Sequence, residues 1–273
     1  MRAVRCAFEA MTISARDARS DDYATFGRMS LELRVPDPTP TQSDFDARIR
    51  PNTFFLFEDE TPIAYAYWLP MATTARVFHV VVDGSLQGRG VGGALMRELS
   101  ARAIRAGCTR WLLNTRPENE PAIRLYRRFG MRTGARSRSF EIAWRDVDRL
   151  PLEEGTQAFL VTAEDDAAVE VALQLSAGKL GALRSFGRVF LALERHGEIV
   201  AFAAFDPAFP GAMPFETRRP QLARPLLEAM RPYARAEHAT VRIGSTNEEL
   251  WAIAESAGAK MLLETVRMEG PIA

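Results

Sequence analysis

The stretch Val80-Val81-Val82-Asp83-Gly84-Ser85-Leu86-Gln87-Gly88-Arg89-Gly90-Val91-Gly92-Gly93-Ala94-Leu95 constrains this chain more than any other. A buried-looking apolar run feeds a glycine-rich turn, Gln87 to Gly93, and the turn opens a helix that runs to about Ala106, with Gly107 as its stop. The first N–H groups of a helix have no partner within it and carry partial positive charge. Turned toward one point, they bind a phosphate or pyrophosphate. Glycine at 90 and 92 removes β-carbons that would block that approach, and Gln87 and Arg89 add donors at the rim. The spacing alone is weak, because a strand-to-helix turn that needs glycine only for packing reads the same way. It is not a P-loop, since no Gly-Lys-Ser/Thr follows. Nor is it a dinucleotide fingerprint, since the third glycine and the later acidic residue are misplaced.

Around this stretch the chain alternates strands and helices. Met11 to Arg16 reads as a strand, Asp21 to Leu33 as a helix, and Asp44 to Ile49 as a second short helix after the break Asp37-Pro38-Thr39-Pro40. Thr53 to Phe57, Ile63 to Leu69 and Arg76 to Val82 read as strands, the first two joined by a polar turn. Trp111 to Asn114 is a further strand, Glu118 to Phe129 a helix ending at Gly130, and Met131 to Ala143 an extended run. Strands with crossing helices make an α/β layer architecture.

Leu150-Pro151 marks a boundary, beyond which the order returns. Ala158 to Val161, Val189 to Leu193, Ile199 to Phe205, Thr240 to Ile243 and Lys260 to Met268 read as strands; Asp165 to Leu175, Leu222 to Ala236 and Glu248 to Ala257 read as helices. Asn119-Glu120 with Phe129-Gly130 sits 128 positions before Asn247-Glu248 with Ala257-Gly258. A repeat of that length means tandem domains rather than a solenoid, and 273 residues suffice for two.

Composition excludes several classes. Lysine plus arginine and aspartate plus glutamate both number 35, so no net field draws the chain to nucleic acid or to an anionic membrane. Cys6 and Cys108 are too far apart for a small disulfide framework, and His79, His196 and His238 make no zinc pattern. No apolar run reaches the ~18 residues of a membrane span. Met1 to Ala10 is charged, so it reads as an extension and not a signal peptide, and a cytoplasmic protein is the expectation.

Taken together, the glycine loop and the Asn119–Gly130 segment resemble the GNAT superfamily of acetyl-CoA-dependent N-acyltransferases. The family signature is Arg or Gln, two residues, Gly, one residue, and Gly or Ala after a buried strand; here that is Gln87-Gly88-Arg89-Gly90-Val91-Gly92. Later the family has an asparagine opening a helix, a tyrosine seven positions on, and an aromatic–glycine pair; here these are Asn119, Tyr126 and Phe129-Gly130. The likeness spans about Met11 to Ala143.

It implies two tandem GNAT-like domains of α/β (α+β) class, each a mixed, mostly antiparallel sheet flanked by helices. Residues 1–10 are then an extension, 11–149 the catalytic domain and 150–273 a degenerate copy. It implies acetyl-CoA as co-substrate and no metal. The pantetheine arm would run along the backbone of Val80 and Val82, and the pyrophosphate would sit on the N–H groups of Gly88, Arg89, Gly90, Val91, Gly92 and Gly93, with Gln87 at the rim. Asn119 would bond the arm, Ala122 and Leu125 would line the groove, and Tyr126 would protonate the departing thiolate. A primary amine of a small molecule or peptide would attack the thioester.

The general base is not evident. Where relatives carry a glutamate this chain has Arg76 and Asn114; His79 titrates nearest neutrality, Glu58 and Asp83 are weaker candidates, and a water or an amine arriving neutral would serve too. A lone histidine in a strand also reads as an ordinary core residue. Residues 17–46 hold Asp17, Asp21, Asp22, Glu32, Asp37, Asp44 and Asp46 against Arg19, Arg28 and Arg34, which reads either as a cationic-acceptor surface or as solvated helix faces.

In the second half the loop position falls at Arg218 to Pro225. There the motif glycines are Gln221 and Ala223, two prolines lack N–H groups, and the tyrosine position is Ala254. That leaves this half a structural role, a part in shaping the acceptor site, or a homodimer contact. A non-catalytic acyl-CoA-binding sensor is the competing reading of the whole chain; a nucleotide-phosphate enzyme lacks the carboxylate pair it would need.

Overall fold

The computed structural model describes residues 13–36, 39–184 and 186–272. The extension at residues 1–10, the start of the first strand at Met11, Cys6 and Asp37 lie outside the described residues. By backbone contacts the chain divides into two compact units, residues 1–70 with 75–109 and 272–273, and residues 71–74 with 110–271.

The first unit holds β1 (Ile13–Asp17), α1 (Tyr23–Ser30), α2 (Gln42–Asp44), β2 (Thr53–Glu58), β3 (Thr61–Met71), β4 (Thr74–Val82) and α3 (Val91–Arg105). Strands β1 to β4 lie side by side in chain order, β1–β2 and β2–β3 antiparallel. Helix α3 buries Val91, Leu95, Met96, Leu99 and Ala103, a stripe at helical spacing, while Arg97 and Arg105 face outward. Phe26 and Met29 of α1 pack with Phe45, Phe55, Tyr65, Tyr67 and Val81 into the unit's core. The short helix expected over 44–49 is present: α2 runs on as a π-helix (Phe45–Ile49) and then a 3-10 turn (Arg50–Asn52). The π-helix carries Phe45 and Ile49 into the core.

The second unit holds β5 (Arg110–Thr115), α4 (Glu120–Arg128), β6 (Arg132–Ala143), β7 (Gln157–Leu160), α5 (Asp166–Ala172), α6 (Lys179–Arg184), β8 (Val189–Arg195), β9 (Glu198–Asp206), β10 (Gly211–Thr217), α7 (Ala223–Met230), β11 (Thr240–Ser245), α8 (Glu248–Ser256) and β12 (Lys260–Pro271). Its strand order is β5-β12-β6-β11-β10-β9-β8-β7. Every pair is antiparallel except β10–β11, which run parallel at Gly211–Arg242 and Ala212–Ile243.

The order β5-β12-β6-β11 has a consequence for the repeat. β12, the last strand of the second half, lies between β5 and β6 of the first, and β6 lies between β12 and β11. Ser137 pairs with Thr265, its own counterpart 128 positions on. The two halves thus exchange their last strands about a local two-fold centred on that pair. Gly270 makes the entry possible, because β12 runs so close to Gly130 and Met131 that a β-carbon at 270 would overlap the Gly130 carbonyl. The boundary read at Leu150-Pro151 falls inside this unit, where Leu150 is buried with Trp144 and Val147 in one core with Leu226 and Leu250.

Candidate active site

In the first unit, β4 delivers the chain to the loop, and Asp83 secures the turn. Its carboxylate accepts from the Ser85 N–H (3.1 Å) and hydroxyl (2.7 Å) and from Arg28 Nη1 of α1 (2.9 Å). The Arg28 hydrogen bond, helped by Ser85, holds this carboxyl below the usual range, so it stays ionised and engaged. The same contacts remove it as a free base. Gly88 and Gly90 stand at φ +79° and +88°, a region closed to most side chains, with open space where a β-carbon would go. Gly90 is the N-cap of α3, and its carbonyl accepts the Gly93 N–H (3.0 Å) and the Ala94 N–H (3.3 Å). The N–H groups of Val91 and Gly92 precede that first bond and have no intrahelical acceptor. Gln87 to Gly90 are exposed, Gly92 and Gly93 half-buried, and Val91 buried. This is the open, positively polarised helix start that an anionic phosphate group needs.

One expected rim donor is placed otherwise. Gln87 Nε2 turns back to the Val82 carbonyl at 3.3 Å, tying the loop to its own strand, while Arg89 stays exposed. Val80 and Val82 are half-buried on β4.

His79 sits on the same strand in an aromatic box. Its ring is 6.0 Å from Phe26, 5.9 Å from Tyr65 and 5.5 Å from Tyr67, and its Nδ1 is 3.1 Å from the Tyr65 hydroxyl. Burial drives its pKa down to about 4, and burial also pushes the Tyr65 hydroxyl well above its ordinary value. Tyr65 therefore keeps its proton, and its hydroxyl and Nδ1 share one hydrogen bond whose direction follows the imidazole tautomer. Sequence alone could not show this, because β3 and α1 supply the walls.

Three of the seven acidic residues of the stretch are paired with arginines from outside it. Asp17 pairs with Arg102, Asp22 with both terminal nitrogens of Arg16 (2.7 and 2.8 Å), and Asp46 with Arg50 (3.0 Å); these arginines lie outside residues 17–46.

In the second unit, Asn119 caps α4, its Oδ1 accepting the Ala122 N–H at 3.2 Å. One end of that amide is thereby committed, leaving its NH2 to donate elsewhere. Ala122 and Leu125 are half-buried on α4, and the Tyr126 ring is 6% exposed. Burial raises the Tyr126 hydroxyl above its ordinary value, so it is protonated throughout the neutral range. The structure thus groups His79, Val80, Val82 and Gln87–Gly93 on one unit, and Asn119, Ala122, Leu125 and Tyr126 on one helix of the other. Among the described residues no cluster of three or more His, Cys, Asp or Glu could hold a metal, and no helix is long and apolar enough to cross a membrane.

Residues 17–131 match the acetyltransferase (GNAT) family model. Over 134 residues it is 32% identical to a mycothiol acetyltransferase of Brachybacterium faecium; the match covers 47% of this chain and 35% of that protein, so the chain spans about a third of that relative. Two solved structures share the fold over nearly the whole chain. A GCN5-related N-acetyltransferase from Sphaerobacter thermophilus has a TM-score of 0.65 at 16% identity, covering 95% of each chain. A tandem GNAT protein from the clavulanic acid biosynthesis pathway has a TM-score of 0.61 at 17% identity, covering 95% of this chain and 98% of its own.

Proposed function

We propose that this chain is an N-acetyltransferase that moves an acetyl group from acetyl-CoA to a primary amine. The observation that carries the reading is the open helix start at Gly88–Gly93, with two glycines at positive φ and unpartnered N–H groups at Val91 and Gly92. In this reading residues 11–149 form the catalytic domain and 150–273 a degenerate copy. Val80 and Val82 offer backbone to the pantetheine arm, Gly88 to Gly93 hold the pyrophosphate, and the free NH2 of Asn119 binds the arm while Ala122 and Leu125 line it.

The amine nitrogen forms its bond to the acetyl carbon as the carbon–sulfur bond breaks, and the leaving thiolate takes a proton from Tyr126. That hydroxyl carries its proton throughout the neutral range, before the thiolate forms, and the burial that raises its pKa also makes it a weaker acid than a free tyrosine. No base is assigned to a side chain, because Asp83 is engaged and His79 is enclosed by aromatic rings with its Nδ1 in contact with Tyr65. The amine then arrives neutral or loses its proton to water. The ion pairs of Asp17, Asp22 and Asp46 weaken the case for a cationic acceptor. We place the protein in the cytoplasm.

The missing base also favours a second reading, an acyl-CoA-binding module without chemistry. Free thiol released on mixing the protein with acetyl-CoA and a panel of amines separates the two. Release that requires both an amine and Tyr126 supports the enzyme; binding of acetyl-CoA with no release under any amine sinks it.

A further inference from the structure

A cleft in the second unit carries chemistry that acyl transfer leaves unused. It lies where β6 ends, beside the 3-10 turn Arg231–Tyr233 that follows α7, and at the start of β11, with a volume of about 510 Å3. Arg145, Arg231 and Arg235 line it, and no carboxylate does. Trp144 and His238 line it too, and each has a buried ring nitrogen, Nε1 and Nε2, without a hydrogen-bond partner among the described residues. The backbone of both is satisfied: the Trp144 N–H donates to the Ala239 carbonyl and the His238 N–H to the Arg235 carbonyl, each at 3.0 Å. Only the rings are left wanting.

An indole N–H can only donate, and burying one without an acceptor costs about 1–3 kcal/mol. Guanidinium groups likewise offer donors alone. Nearby carboxylates do not answer the demand. Asp146 is 3.3 Å from Arg149 but 3.9 Å from Arg145, Glu237 is 4.0 Å from Arg235, and Glu228 is held by Arg224 at 2.8 Å. The Arg231 guanidinium has no ion-pair partner among the described residues.

We propose that this cleft binds a small phosphate-bearing anion, with Arg145, Arg231 and Arg235 supplying charge and Trp144 Nε1 a directed donor. A lining of donors with three positive charges calls for a ligand with several negative charges and acceptors on every side. A phosphate monoester or a pyrophosphate has both. The volume falls within the range of small-ligand pockets. The site does not depend on the acyl-transfer reading, and it draws on both halves, with Trp144 and Arg145 from the first and Arg231 and Arg235 from the second.

The test is calorimetric titration of pyrophosphate into the full chain carrying Gly90→Val, which closes the loop at Gln87–Gly93 without touching the cleft. One saturable site is expected, weakened at least tenfold by Arg231→Gln with Arg235→Gln and less by Trp144→Phe. The arginines are exposed, so an unchanged melting curve in that double variant separates lost binding from lost folding. Titrations with AMP and with inorganic phosphate then assign the source, a tighter AMP site supporting an organic ester and an equal one the free ion. Absence of a saturable site, or equal affinity with and without the two arginines, overturns the proposal.

Discussion

Each half of the chain places a turn and a helix at the same point of the repeat, and the two turns have different fates. In the first, Gln87 to Gly90 are exposed, and glycine at positive φ leaves the helix start open. In the second, Pro220 and Leu222 are buried in a 3-10 turn that leads directly into α7, whose first residue Ala223 is also buried. The Gln221 carbonyl accepts the Glu153 N–H at 3.2 Å. Glu153 also binds Arg219 and Arg195, and Arg224 donates to the Asp148 carbonyl at 2.7 Å. The second turn is thus closed by the segment joining the repeats. The comparison teaches that a helix start becomes an anion seat only when the backbone before it is free to turn aside and nothing covers it.

The largest expected effect comes from separating the halves. Residues 1–149 alone would leave β5 and β6 without β12 between them and β6 without β11, opening strand edges and removing the wall behind Phe140 and Ile142. We predict that this fragment does not fold, read as loss of amide dispersion and of a cooperative melt. A stable, acetyl-CoA-binding fragment would show instead that the catalytic half is independent.

Next is Tyr126→Phe, which keeps the buried ring and removes only the hydroxyl. Turnover should fall by about 10²–10⁴ with acetyl-CoA affinity nearly unchanged. Ala254, its counterpart in the second half, has no hydroxyl to lose. Full activity in the variant would leave the two halves chemically alike at this position.

Gly90→Val comes third. It forces a branched residue to φ near +88°, at a cost of about 1–2 kcal/mol. Because the strained position is the N-cap of α3, acetyl-CoA affinity should drop about tenfold or more, with a small loss of stability. Unaltered affinity would mean that the glycine serves only the turn.

These tests rest on features that were unequally legible. Glycine positions in a strand–turn–helix context gave away the first loop, since they report backbone conformation directly. Asn119 and Tyr126 came from the family resemblance, whereas the capping bond that occupies Asn119 Oδ1 needed coordinates. Strand β10 was not read, because Gly211 and Pro214 interrupt its pattern. Nor was α6, a short helix near Gly178 and Gly181 whose Leu180 N–H is fixed by Glu170 at 2.7 Å, a tertiary contact. The strand exchange was invisible, as pairing between β12 and β5 leaves no mark on either segment. The hydrogen-bond partner of His79 is Tyr65, fourteen positions away and on another strand.

That histidine gives a smaller, pH-dependent effect in the first half. Its folded pKa is about 4, against about 6.5 unfolded. Between these values the unfolded chain binds the extra proton, so stability is full above about pH 7 and falls as pH drops toward 4. Urea midpoints from pH 8 to 4.5 should show this slope, and His79→Gln should flatten it. Equal slopes in both proteins would place the histidine in solvent.

The smallest effect is expected from restoring one glycine to the closed turn. Ala223→Gly puts back the second motif residue, removing a buried methyl from a helix start at a cost of about 1–2 kcal/mol. The melting temperature should fall by a few degrees. Acetyl-CoA stoichiometry should stay at one per chain, because Pro220 still lacks an N–H and Glu153 still holds the Gln221 carbonyl. A second binding site in this variant would mean that a single β-carbon, and not the segment lying over the turn, separates the working half from its copy.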